Sequence, residues 1–207
     1  MGYGFLDIAT TPSVKAAQAA NASADYWSAF QGNRSFDRFT ETEATFIESR
    51  DSFYMASVSE TGWPYVQHRG GPPGFLRMLD DRTVAFTDYR GNRQYISLGN
   101  LTADDRVALI LMDYPGRRRL KIYGHVEARS LVDNPALAER LATPGYKAKA
   151  ERALLVHLEA FDWNCPQHIT PRFSEAELAD ALAPMRRHIE ELETENNLLR
   201  QQVAGVL

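Results

Sequence analysis

Cysteine is nearly missing. The 207-residue chain has one, Cys165, so no disulfide can form within it and no cysteine-rich zinc cluster can be built. A reducing cytoplasm is the expected setting. Long apolar runs are missing too: the longest, Val107 to Met112, is far short of the roughly 20 residues of a membrane-spanning helix. The first residues, Met1 to Asp7, hold neither the basic nor the long apolar part of a signal peptide. An excess of one charge is also lacking. The 23 Lys and Arg stand against 27 Asp and Glu, a net charge of -4, which excludes a general nucleic-acid or anionic-membrane binder, because both need a basic field. No Gly-x-Gly-x-x-Gly follows a strand and no Gly-x-x-x-x-Gly-Lys or Gly-x-Ser-x-Gly occurs, so Rossmann, P-loop and nucleophile-elbow enzymes are excluded. The five histidines, His68, His125, His157, His168 and His188, lack the spacing of metal ligands on one helix, and no metal site is expected.

What is present is a globular composition, 44% hydrophobic with 10 Phe, 9 Tyr and 3 Trp. Thr11 to Phe30 is Ala-rich behind Thr11-Pro12 and predicts a helix. Thr40 and Glu43 are spaced as a capping box for a second helix ending near Arg50. Aromatic and β-branched runs then predict hairpins. Phe53 to Ser57 and Trp63 to Arg69 flank Ser59-Glu60-Thr61-Gly62, Phe75 to Leu79 and Thr83 to Thr87 flank Asp80-Asp81, and Arg106 to Asp113 and Leu120 to Arg129 flank Tyr114-Pro115-Gly116. Arg90 to Leu101 has helically spaced Tyr95, Leu98 and Leu101; Asn134 to Leu141 and Tyr146 to Glu151 suggest short helices; Ala153 to Phe161 reads as a last strand. The pattern is mainly β with flanking helices (α+β), an antiparallel barrel with helices outside it. It divides into a helical extension (1–40), a barrel domain (41–172) and a C-terminal helix (173–207).

That last segment is strongly periodic. Leu178, Leu182, Met185, Ile189, Leu192, Asn196, Leu199, Val203 and Val206 advance by alternating steps of four and three, a coiled-coil seam in which Asn196 takes an a position between Ile189 and Val203. A single amphipathic helix lying on the barrel would give the same pattern. Pro184 predicts a kink or restart.

Three stretches carry polar donors at strand ends. Thr87 to Gln94 follows a strand and opens a helix, so its glycine, amides and two arginines can cradle an anion, or form an ordinary polar turn. Gln67-His68-Arg69 ends an earlier strand. Arg117-Arg118-Arg119-Leu120-Lys121 begins a later one, and also reads as a solvated hairpin tip.

The order of these landmarks, from Glu43 to Val126 with Gly62-Trp63-Pro64, Arg69, Ala85 to Tyr89, Asn100-Leu101 and Leu120 to Gly124, resembles the pyridoxamine 5′-phosphate oxidase-like split-barrel flavoproteins. The resemblance implies a homodimer binding FMN in a cleft between subunits. Gln67, His68 and Arg69 would flank the ring and ribityl chain, Phe86, Thr87 and Asp88 would lie along them, and Asn92, Arg93 and Gln94 would take the phosphate. Arg119 or Lys121 would approach from the partner subunit. Asn92 stands where the oxidase has arginine, which leaves the FMN phosphate clamp one guanidinium short; separately, the oxidase's Arg-x-His substrate segment is not evident, which argues against pyridoxamine 5′-phosphate as substrate. In its region stands Phe161 to Ile169, whose Trp163, Asn164 and Gln167 would complete the flavin pocket, or pack as a loop. Cys165 reads as a small hydrophobe and His168 as the best acid or base. The expected function is an FMN-dependent oxidoreductase acting on a small substrate, against a non-catalytic flavin module or a barrel holding haem or deazaflavin.

Overall fold

The computed structural model describes residues 4–29, 37–163 and 166–204, with the backbone alone at 203; Asn164, Cys165 and Val206 lie outside the described residues. The Ala-rich start forms α1 (Phe5–Ala9), α2 (Pro12–Ala20) and α3 (Ala24–Ala29) rather than the single helix expected beyond Thr11. Asn21 closes α2 and Ala22 takes a φ of 54°, a left-handed residue that ends the run. Thr11 caps α2 with its hydroxyl accepting from the Val14 amide. α4 (Glu41–Glu48) carries the predicted capping box between Thr40 and Glu43.

The strands are β1 (Ser52–Val58), β2 (Pro64–Gly70), β3 (Leu76–Asp80), β4 (Thr83–Tyr89), then α5 (Ile96–Ala103), β5 (Arg106–Asp113), β6 (Arg118–Arg129), α6 (Pro135–Arg140), β7 (Ala150–Trp163) and α7 (Glu175–Ala204). The expected barrel class holds: one antiparallel sheet in the order β2-β1-β5-β6-β7-β4-β3, curled as a split barrel. Gly62 turns the first hairpin at a φ of 83°, as its position required. Two expectations fail. Tyr146 to Lys149 is not helical; Gly145 at a φ of 80° turns the chain there, and from Ala150 the segment pairs with Tyr89 in the sheet. The helix does not restart at Pro184, since α7 runs through it.

The register assigns faces. In an antiparallel ladder, residues directly opposite one another share a face. One row runs Arg69, Phe53, Leu111, Leu120, Trp163 and the next Gln67, Met55, Leu109, Ile122, Phe161. These rows point inward, since Phe53, Met55, Leu109, Leu111, Leu120, Ile122 and Phe161 are fully buried in one core with Val84, Phe86 and Leu154. The alternate rows, His68, Tyr54, Ile110, Lys121, Asp162 and then Val66, Ala56, Ala108, Tyr123, Ala160, point outward. At the β6–β7 bulge, Gly124 lies so close to its partner that a Cβ there would be 2.5 Å from the His157 carbonyl oxygen.

Candidate functional site

β2 alternates strictly, so Tyr65, Gln67 and Arg69 face one way and Val66 and His68 the other. The first three line a cavity of about 200 Å3 with Asp88 and Tyr89 of β4, the 91–98 segment, and Glu151 of β7. β2 and β4 are not sheet neighbours. Side chains join them instead: Arg69 is ion-paired to Asp88, whose other oxygen accepts from Arg152 at 3.0 Å. All three side chains are at most 20% exposed, so these charges interact with little screening. Arg69 Nε is buried with no hydrogen-bond partner.

The far wall is built by the polar turn after β4. Its chain is bent by two left-handed residues, Arg93 at a φ of 64° and Tyr95 at 52°, which hold Gln94 between them. The Gln94 amide donates to the Asn92 side-chain oxygen at 3.1 Å, an Asx turn. Left-handed backbone at residues other than glycine stores strain and persists where surroundings impose it. Here Ser97 Oγ donates to Gln67 Oε1 at 2.6 Å, tying α5 to β2, and Tyr95 OH donates to Glu151 at 3.1 Å. The Arg90 guanidinium at 2.7 Å holds the Glu151 carboxyl below its usual range, outweighing the upward push of desolvation.

Six of the residues singled out from sequence therefore converge: Gln67, Arg69, Asp88, Asn92, Arg93 and Gln94. The others sit elsewhere. His68 faces outward, edge-on to Tyr54 with ring centroids 5.5 Å apart. Phe86 belongs to the core, edge-on to Phe53. Thr87 points to α6, its hydroxyl donating to the Leu141 carbonyl at 3.4 Å. Arg119 and Lys121 lie on the outward face of β6, with Lys121 2.8 Å from Asp162 and 4.4 Å above the Phe5 ring. Gln167 is exposed, and Asn164 falls outside the described residues. Tyr65, Tyr95, Ser97 and Glu151 line the cavity without having been singled out. The period of two back from Gln67 signals Tyr65; Ser97 lies in the first turn of α5, beyond the left-handed Arg93 and Tyr95, and no spacing signals it or Glu151.

Trp163 is anchored at a second place. Its indole donates to Glu43 Oε1 at 2.7 Å, its ring meets Phe46 edge-on at 4.7 Å, and the Arg118 guanidinium lies over it at 4.6 Å. A separate cavity of about 370 Å3 opens beside Phe46, Arg50, Asp113 and Arg118. Burial pushes the Glu43 carboxyl up, but hydrogen bonds from the Thr40 hydroxyl, the Trp163 indole and the Thr40 amide outweigh it and hold the group below 4.5. The unfolded chain then takes up this proton first, so the stability Glu43 contributes is full above about pH 4.5 and fades as pH falls through the folded value. Glu43→Gln is expected to flatten the acid limb of the stability curve while lowering stability at pH 7 by about 1.5 to 3 kcal/mol, the range for hydrogen bonds to a charged group. Urea unfolding from pH 3 to 7 measures both, and an unchanged acid limb would count against this carboxylate.

A split barrel with a small polar cleft beside its seam is a ligand-binding scaffold of a recognisable class. The family model for pyridoxamine 5′-phosphate oxidase matches residues 39–160, more than half of the chain, and the protein belongs to that family. Among solved structures, one from Lactobacillus delbrueckii named for pyridoxamine 5′-phosphate oxidase is 19% identical, with a TM-score of 0.47, covering 62% of this chain and 96% of its own. An FMN-binding protein from Syntrophomonas wolfei is 14% identical, with a TM-score of 0.47 over 71% of this chain and 97% of its own. A structure named F420 reductase is 23% identical, with a TM-score of 0.40 over 57% of this chain and 94% of its own. No curated protein matches the chain. No described helix is long and apolar enough to cross a membrane.

Proposed function

We propose that this protein is an FMN-dependent oxidoreductase that holds the flavin in the cleft between β2, β4 and the 91–98 segment, at an interface between two copies of the chain. The observation that carries the reading is the donor set. Arg69, whose Nε is buried without a hydrogen-bond partner, and Arg93 line the same cleft as Gln67 and Gln94. Such a set suits a ligand that combines a phosphate with ring carbonyls. Asp88 and Glu151 balance the two lining arginines, so the cleft is close to neutral, and since Asp88 pairs with Arg69 and Glu151 with Arg90, Arg93 is the guanidinium best placed to meet a phosphate. Bound flavin would bring the electron-transfer chemistry itself, and the protein would supply position, hydrogen bonds and access.

Two features support a second copy. A cavity of about 200 Å3 is smaller than the roughly 300–1,000 Å3 of ordinary ligand pockets, so one chain encloses only part of a flavin. The outward rows also expose apolar side chains, with Val66 61%, Tyr54 41% and Ile110 39% accessible, beside Lys121 and His68. Pairing through this face would cover them and carry Lys121 toward the partner's cleft. Isolated protein is expected to show flavin absorption, or to bind added FMN at one per chain with quenching of its fluorescence. Arg93→Ala is expected to weaken that binding roughly 10- to 150-fold, matching about 1.5–3 kcal/mol for a hydrogen bond to a charged group. Failure to bind FMN, or a haem or deazaflavin spectrum instead, would overturn the reading.

A further inference from the structure

α7 stands apart from its own barrel. Ser174 starts it with a reciprocal cap, its amide and hydroxyl donating to Glu177 Oε2 at 2.8 and 2.9 Å and its Oγ accepting from the Glu177 amide at 3.2 Å. From there 30 residues run about 45 Å at the α-helical rise. Every described side chain along it is exposed except Ala183, which is half-buried. The seam is left open to solvent, with Leu178 at 45%, Ile189 at 48%, Leu192 at 51% and Leu199 at 52% exposure. So much contiguous apolar surface on one stripe marks a contact face.

We infer that this face is covered by α7 of a second copy, in a parallel, in-register, two-stranded coiled coil. The composition of the seam chooses the occupant. Ile189 and Val203 at a, with Leu178, Leu192 and Leu199 at d, follow the pattern that favours two parallel strands, from which Leu182 at a and Met185 at d depart. Asn196, also at a, chooses the orientation. In the parallel, in-register pair its amide meets the same amide of the second copy, and each can donate to and accept from the other. In the antiparallel overlap of the whole seam it would face Met185, a buried amide opposite a thioether. Charge agrees with the parallel pair: the g residue of one helix faces the e residue five positions on in the other, which sets Glu195 against Arg200 and His188 against Glu193. The acidic side chains beside and behind the seam, Glu190, Glu191, Glu193 and Glu195, do not suit an anionic lipid surface. This pairing does not depend on what the cleft binds.

The test uses the full chain with Cys165→Ser and one new cysteine at a time. Under mild oxidation, Leu199→Cys on the seam is expected to form disulfide-linked dimers at least tenfold faster than Gln201→Cys on the outer side. Association of the barrels raises both rates alike, so the ratio reports the tail alone. In a mixture with Leu182→Cys, which an antiparallel pair would set beside Leu199, self-linked Leu199→Cys dimers are expected to dominate. Equal rates at 199 and 201, or a predominance of the mixed 182–199 product, would overturn the inference.

Discussion

Replacing Asp88 by asparagine is expected to destabilise the protein by about 3 kcal/mol. Removing one member of a buried ion pair costs about 3–5 kcal/mol, because the charge left behind has lost both water and its partner. Arg69 is that charge: it is ion-paired with Asp88, and its Nε is already without a partner. Arg152 is better insured, keeping Glu151 at 3.3 Å and the Tyr95 ring at 5.3 Å, which places the effect at the lower end. Urea unfolding should show a midpoint lowered by about 1 M with an unchanged slope. A shift below about 0.3 M would mean that Arg69 finds water or another acceptor, and that the link between β2 and β4 is not electrostatic. The same variant should bind flavin less tightly, because Arg69 then has no fixed position at the cleft.

A comparable loss, again about 3 kcal/mol, is expected for Gly124→Ala. The added Cβ would lie 2.5 Å from the His157 carbonyl oxygen and 2.9 Å from Val156 Cγ1. Overpacking costs about 1–3 kcal/mol where side chains can move aside. Here the first atom met is backbone of the paired strand, which moves only by shifting the register of β6 on β7, so the upper end applies. Gly99→Ala is the control: Gly99 lies within α5, a Cβ there meets nothing within 4 Å, and up to about 1 kcal/mol of stabilisation is expected. Thermal or urea unfolding of the two variants should move in opposite directions; Gly124→Ala as stable as the parent would show that the bulge yields cheaply.

The hairpins were legible because their strands alternate and their turns hold residues that only turns favour, Gly62 above all. β7 was legible only in part. Ala153 to Phe161 is apolar enough to read as a buried strand, but Ala150 to Arg152 enters the sheet through pairing with β4, a partner some 60 positions away in the chain that leaves no local trace. The same holds at the site. The 91–94 turn is visible as a polar, glycine-containing break after a strand, and the inward face of β2 follows from its alternation. The pairing of Arg69 with Asp88 is not visible, since the two strands share no ladder and meet only because the sheet curls. Thr87 and His68 fell outside the cleft because adjacent residues of a strand face opposite ways and each neighbours a lining residue; Phe86 shares the face of Asp88 but packs against Phe53 in the core.

The order of the sheet leaves β2 and β4 facing one another without a row of amide hydrogen bonds, bridged by Arg69 and Asp88, while Ser97 of α5 holds Gln67 of β2. A wall fastened in that way can part for the cost of a few polar contacts, while the long ladders of β6 and β7 opposite stay shut like the spine of a book.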